Sequence, residues 1–306
     1  MVAFVLSGGG PRGALQAGAL QVLLERGIQP DMLVGTSAGA INAAYLACDP
    51  TLAGAYRLAE IWRHLTKEQI YPGGLLKAIW HVLTHRDSIY CNDRLRSFLE
   101  SHAPSGARLF RDLAVRLYIV ATDLLSGNPY VFGEPDEPLI DAMMASSALP
   151  PALPPWPYRG RVLVDGAVAA NLPVGVAIEK GATEIYALET LGNSPPRRLR
   201  PNLWEIALWS IDALVHQQVD RDMMLCAAHP EVTLHRIVLA TRRRLAFDDF
   251  SQAAALIAEG REAATAYLDA WKRGAVGKQA EYGDGWRRSL QRLRNKIASA
   301  ARVKRG

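Results

Sequence analysis

The stretch Val2-Ala3-Phe4-Val5-Leu6-Ser7-Gly8-Gly9-Gly10-Pro11-Arg12-Gly13 decides the reading of the fold. Val2–Leu6 is an apolar run rich in β-formers, and it leads straight into a glycine loop. Beyond the loop, Ala17, Leu20 and Leu24 recur at helical spacing until Gly27, a residue type suited to a helix C-cap. The unit reads strand, loop, helix. It repeats at once: a short strand around Met32–Val34 runs into Gly35-Thr36-Ser37-Ala38-Gly39, and a helix of small residues follows to about Ala47. A β-α-β-α order predicts a parallel sheet with helices packed on it.

Working outward, residues 51–102 read as helical. Trp62, Leu65, Leu75, Leu76, Ile79, Trp80 and Leu83 supply apolar faces, Pro72, Gly73 and Gly74 a break, and the whole is suited to covering a site. Strand signals return at Leu117–Ala121, Arg161–Val164 and Glu184–Leu188. Between the first two lies Ala145-Ser146-Ser147-Ala148-Leu149-Pro150-Pro151, where a helix must stop because proline cannot continue it. Beyond Arg200 the pattern is mostly helical, with one strand candidate at Thr233–Leu239 and a long amphipathic stretch at Phe250–Trp271. Gly274, Gly277, Gly283 and Gly285 then mark a linker.

With 306 residues, 49% hydrophobic and 21% charged, at a mean hydropathy of +0.00, the chain suits one large globular domain or a domain with an appendage and excludes disorder throughout. The two longest uncharged stretches, Met32–Cys48 and Ala142–Tyr158, are broken by Gly, Ser and Asn and, in the second, by five prolines, so neither reads as a membrane span. The start has no basic n-region and only a short apolar run, so a cytoplasmic chain is expected. Cys48, Cys91 and Cys226 are far apart and odd in number, which argues for buried free thiols over disulfides or a Cys-rich zinc site. The net charge of +5 is unevenly placed: eight Lys or Arg and no Asp or Glu fall in Trp286–Gly306, which leaves the rest of the chain slightly acidic.

Gly35-Thr36-Ser37-Ala38-Gly39 fits G-x-S-x-G, in which serine sits on a sharp strand-to-helix turn and the flanking glycines remove Cβ atoms that would clash. An ordinary glycine-rich βα turn with a capping serine is its bland counterpart. Gly8–Gly13 also opens a helix, so its amides can converge to stabilise negative charge. Two uses compete: an oxyanion hole for acyl transfer, or the G-x-G-x-x-G fingerprint of a dinucleotide site, which these residues satisfy. The second needs an acidic residue at the end of the next strand, and that strand ends in Gly35-Thr36-Ser37. Asp31 lies before the strand, at the wrong edge of the sheet, so the dinucleotide reading stands behind.

A serine nucleophile needs a base to take its proton. Asp165, in Val162-Leu163-Val164-Asp165-Gly166-Ala167, ends a short apolar strand, where open α/β sheets place their sites. Its ordinary use is as a turn or capping aspartate, and composition does not decide between the two. His64, His81, His85 and His102 fall in the helical insertion. His216, His229 and His235 follow Asp165 and would satisfy a Ser, Asp, His order, but none follows a strand and precedes a glycine turn. Asp123 reads as structural.

Five segments together resemble the patatin-like phospholipases of bacterial type. They are GGGPRG at Gly8–Gly13, GTSAG at Gly35–Gly39, ATDL at Ala121–Leu124, ASSALPP at Ala145–Pro151 and DGA at Asp165–Ala167. The resemblance covers roughly Val2–Leu268. It implies an α/β three-layer fold with a central, mostly parallel sheet flanked by helices, and a Ser–Asp dyad with Ser37 as nucleophile and Asp165 as its base. It implies an oxyanion hole drawn from Gly8, Gly9, Gly10, Arg12 and Gly13, an elbow shaped by Gly35 and Gly39, and a base motif completed by Gly166 and Ala167, the last standing where many relatives have glycine. The implied substrate is a lipid acyl ester, cleaved through an acyl-enzyme with no metal or other cofactor. The runners-up are a Ser-Asp-His esterase using His216, His229 or His235, and a non-catalytic protein binding lipid or a dinucleotide.

The expected organisation is a hydrolase domain over 1–270, its motifs in 1–200 and a mostly helical completion in 201–270, then a linker over 271–285 and a tail over 286–306. In the tail Trp286, Leu290, Leu293 and Ile297 fall on one helical stripe flanked by Arg287, Arg288, Arg292, Arg294 and Lys296. Such a helix can lie on an anionic bilayer; packing on the protein's own core, or disorder, are the competing readings. No nucleic-acid partner is expected, since aromatics beyond Trp286 are lacking. The sequence is silent on oligomeric state.

Overall fold

The computed structural model describes residues 1–71, 88–102, 106–190, 203–243 and 245–275. Strands β1 (Val2–Leu6), β2 (Met32–Thr36), β3 (Arg116–Asp123), β4 (Pro129–Phe132), β5 (Trp156–Tyr158), β6 (Arg161–Asp165), β7 (Glu184–Thr190) and β8 (Thr233–Leu239) form one sheet in the order β5-β6-β3-β2-β1-β7-β8, with β4 also paired to β3. The five strands from β3 to β8 are parallel. The other three, β4, β5 and β6, join antiparallel. The fold is α/β with a mostly parallel sheet, as expected. The sequence reading omitted β4 and β5. Each contains a proline, Pro129 or Pro157, which lacks an amide donor and fits only the start of a strand or an edge.

Both faces of the sheet are covered, which explains the unbroken apolar runs of its central strands. On β1, Phe4 and Leu6 enter a large core, with Ala3 and Val5 in a second core on the opposite face. The first core is filled by α1 (Gly13–Glu25), α2 (Ala38–Cys48), α3 (Leu52–His64), α4 (Lys67–Ile70), α5 (Asp93–His102), α6 (Leu139–Ser146) and α9 (Ala253–Lys272). The second lies under α7 (Val174–Glu179) and α8 (Leu203–Ala227).

Helix α1 is buried on every side from Gly13 to Leu24, although the spacing of its large residues marks a single stripe. The reason is α9, which crosses its outer face at Gly18 and Gly260. A Cβ at either glycine would overlap the other helix's backbone, at Ile257 or Leu15. Gln16, within this helix, is satisfied by donating its Nε2 hydrogens to the Ser7 carbonyl at 2.8 Å and the Leu188 carbonyl at 3.3 Å. The thiols are free as expected, but only Cys226 is buried; Cys48 and Cys91 are half-buried. Among the described residues no helix is long and apolar enough to cross a membrane. The tail over 286–306, the linker from 276, and the part of the helical insertion that holds His81 and His85 lie outside the described residues.

Candidate active site

One residue, Ser37, separates the end of β2 from the start of α2. Its backbone holds φ 55° and ψ −125°, a conformation rare for a residue with a Cβ and worth about 1–3 kcal/mol of strain. The elbow is this tight because α2 starts directly against the chain leaving β1: a Cβ on Gly39 would overlap the carbonyl oxygens of Leu6 and Ser7, and one on Gly35 would meet the Gly39 carbonyl. The turn lifts a half-buried Ser37 above the sheet.

Ser37 Oγ donates a hydrogen bond of 2.7 Å to Asp165 Oδ2, across 128 positions of sequence. Asp165 does end a strand, but the route differs from the usual carboxyl-end rule. Strand β6 runs antiparallel to β3, pairing Asp165 with Ala121, while Val120 pairs with Thr36 on β2. That register brings the carboxylate to Ser37 from the opposite direction. Asp165 Oδ1 accepts the Ala167 amide at 2.8 Å, a turn role combined with the contact to serine. The residue is 1% exposed and burial pushes its pKa up to about 6, against the opposing pull of the hydrogen bonds from Ser37 and the Ala167 amide.

The glycine loop lies against the same serine: a Cβ on Gly8 would come 3.2 Å from Ser37 Cβ. The loop is pinned from both sides. Gly8 donates its amide to the Asn171 carbonyl at 3.2 Å, and its carbonyl accepts the Thr190 hydroxyl at 2.6 Å. The Arg12 amide donates to the Gly9 carbonyl, and the Gly13 amide to those of Gly10 and Pro11. Gly9 and Gly10, both half-buried, keep amides with no protein acceptor among the described residues.

The other candidates stand elsewhere. Asp31 Oδ2 accepts the Val2 amide at 2.7 Å, at the start of β1 and so at the far edge of the sheet from the glycine loop. Asp123 accepts the Leu125 amide and pairs with Arg161 at 2.6 Å, the structural role expected of it. His235, level with Tyr186 near the start of the strands, stacks on that ring, and its Nε2 lies 3.3 Å from Glu184. His229 pairs with Glu231 at the surface, while His64 and His102 bond the carbonyls of Glu60 and Phe98. The side chain of His216 lies outside the described residues. Among the described residues no cluster of three or more His, Cys, Asp or Glu is placed to hold a metal ion.

Two groups of residues were not singled out by sequence reasoning. Thr190 and Asn171 fix the loop, and Ser146 accepts the Ser37 amide at 2.8 Å. Thr190 and Asn171 carry no signal beyond proximity to a strand end or turn, which many polar residues share; Ser146 lies in the ASSALPP segment that supports the resemblance, but no role is read from it there.

The chain belongs to the patatin-like phospholipase family: the model of that family, Patatin, matches residues 4–178, more than half of the chain. A putative patatin-like phospholipase domain-containing protein of Caenorhabditis elegans, M110.7, is 27% identical over 192 residues, 61% of this chain and 16% of that protein. The uncharacterized protein YqhO of Bacillus subtilis is 31% identical over 187 residues, 56% of this chain and 64% of that protein. The chain thus spans less than two thirds of the length of either relative. Among solved structures, VipD from Legionella pneumophila superposes with a TM-score of 0.46 at 16% identity, over 88% of this chain and 66% of that one.

Proposed function

We propose that this chain hydrolyses acyl esters of lipids with Ser37 as nucleophile and Asp165 as its only base. The observation that carries the reading is the 2.7 Å contact between the hydroxyl of a strained elbow serine and a buried carboxylate. A carboxylate at its ordinary pKa of 3.8 is a weak base near neutrality; one at about 6 is better matched to the task and still ionised at pH 7.

In this mechanism Asp165 takes the Ser37 proton as Oγ attacks the ester carbonyl. The resulting oxyanion is met by the free amides of Gly9 and Gly10, held in place by Gly8, Arg12 and Gly13, and each such donor contributes on the order of 3 kcal/mol to the transition state. Collapse expels the alcohol, which takes the proton from Asp165. Water then attacks the acyl-Ser37 ester, giving its proton to Asp165, and as the second intermediate collapses Asp165 returns that proton to the departing Ser37 Oγ, releasing the fatty acid and restoring the hydroxyl and the carboxylate. No step calls on a histidine. A fluorophosphonate tests this reading: it should label the wild-type chain at Ser37 and leave Ser37→Ala unlabelled. Labelling at another residue, or none, would refute it.

We infer further that 1–270 acts as one hydrolase unit in the cytoplasm and that the basic tail brings it to anionic lipid. Removing residues 286–306 should weaken sedimentation with anionic vesicles and spare turnover of a soluble short-chain ester. Unchanged sedimentation would remove that role.

A further inference from the structure

The segment Ser146-Ser147-Ala148, where α6 ends, holds both members of the reacting pair by their backbones. Ser146 Oγ accepts the Ser37 amide at 2.8 Å and donates its own hydrogen to the Val120 carbonyl at 2.6 Å. Two residues on, the Ala148 carbonyl accepts the Asp165 amide at 2.9 Å. Its anchor is β3, the strand lying between β2, which delivers Ser37, and β6, which delivers Asp165.

We propose that Ser146 is a positioning residue for the reaction: wedged between the Val120 carbonyl and the Ser37 amide, its hydroxyl sets the placement of Ser37 Oγ against Asp165, which the same segment holds through Ala148. The inference rests on the Ser37–Asp165 reading given above. A serine late in a helix ordinarily turns its hydroxyl back to the carbonyl four residues earlier. Ser146 reaches across to another element instead, with its one hydrogen given to β3 and its acceptor side turned to the elbow. It is fully buried, so water cannot readily replace it. Without this hydroxyl the Ser37 amide loses its acceptor just where the backbone is strained, and the elbow relaxes by shifting Ser37. Ser146 itself does not reach the substrate.

The test compares wild type, Ser146→Ala and Ser146→Cys in the full chain. Active sites are titrated with a fluorophosphonate, and turnover of a soluble short-chain ester is followed across pH. For Ser146→Ala, kcat per titrated site should fall on the order of 10- to 100-fold, as displacements of about 1 Å do, with KM within about twofold of wild type. The acid limb of its pH profile should move to higher pH, because a weakened Ser37 hydrogen bond no longer holds the Asp165 pKa down. Ser146→Cys keeps a weaker donor and acceptor at similar volume and should fall between the two. If Ser146→Ala does not fold, the cysteine variant carries the test with the same signs. A wild-type kcat per titrated site, with only the number of titratable sites reduced, would overturn the proposal and leave Ser146 a packing residue. Ser37→Ala and Asp165→Asn run alongside. Their inactivity beside an unchanged Ser146→Ala removes this inference alone, whereas a fully active Asp165→Asn removes the pair and this inference with it.

Discussion

Two neighbouring strand ends, β3 at Asp123 and β6 at Asp165, present the same residue in nearly the same local setting. Each aspartate accepts a backbone amide two residues on, from Leu125 or from Ala167. They differ in what faces the second oxygen. At Asp123 it is the Arg161 guanidinium, which holds the carboxyl below its ordinary pKa and favours its anionic form. At Asp165 it is a serine hydroxyl, and burial, with no counter-ion against it among the described residues, raises the pKa to about 6. An aspartate neutralised by arginine is a strut, whereas one kept from water and from cations retains its appetite for a proton. The turn sequence does not separate them; the partner does.

The sharpest way to break this comparison is to neutralise each carboxylate in turn. Asp165→Asn keeps the shape of the site but cannot accept the serine proton, and turnover should drop on the order of 10⁴-fold, as should that of Ser37→Ala. Asp123→Asn should stay within about threefold of wild type, since its carboxylate is committed to a turn and to Arg161. Ester turnover per folded molecule checks all three. Comparable losses in Asp123→Asn and Asp165→Asn would erase the distinction.

What the sequence disclosed follows the range of the forces involved. The β1-loop-α1-β2-elbow unit was legible because each step is short: Val2–Leu6 feeds Gly8–Gly13, and Gly35 and Gly39 flank Ser37 within five residues. Asp165 was visible as a strand-end aspartate. Its partnership with Ser37 came only from the family resemblance, because an antiparallel return through β6 spans 128 positions and leaves no local pattern. The same limit hid the role of Ser146, which lies in the ASSALPP segment but whose two hydrogen bonds run to residues 109 and 26 positions away. It also hid which loop amides stay free among the described residues: the resemblance nominates Gly8, Gly9, Gly10, Arg12 and Gly13 alike, and only the fold shows the Gly8 amide given to the Asn171 carbonyl and those of Arg12 and Gly13 given to the loop's own carbonyls. Strands β4 and β5 were missed for a different reason, since their prolines are strand breakers everywhere except where these sit.

The pH dependence sharpens the comparison at smaller magnitude. If Asp165 is the base it must be ionised to act, so kcat/KM for a neutral soluble ester should have an acid limb with its midpoint near pH 6 and fall about tenfold per pH unit below it. A limb near 3.8 would mean that the carboxylate is solvated in the working enzyme. The Asp123→Asn profile should keep the wild-type midpoint.

The smallest effects lie in folding stability, and there the two aspartates should show opposite signs. A carboxyl whose folded pKa, about 6, exceeds its unfolded value near 3.9 binds more protons folded than unfolded between those values, so stability declines as pH rises through that window and the loss is complete above it. Asp165→Asn removes this penalty, which is at most about 3 kcal/mol above pH 6 and absent below about pH 4. Its Tm should therefore exceed that of wild type at pH 8, with the gap closing on acidification. Asp123 works the other way. Its folded pKa is depressed, chiefly by Arg161, so its contribution is present above the unfolded value and is lost as pH falls through the folded one. Asp123→Asn should therefore lower Tm at pH 8, and that deficit too should shrink in acid. Thermal denaturation of the three proteins at pH 4 and pH 8 resolves both signs. If Asp165→Asn is destabilised at pH 8 as Asp123→Asn is, the Asp165 carboxylate holds the fold together, and the inference from its missing counter-ion fails.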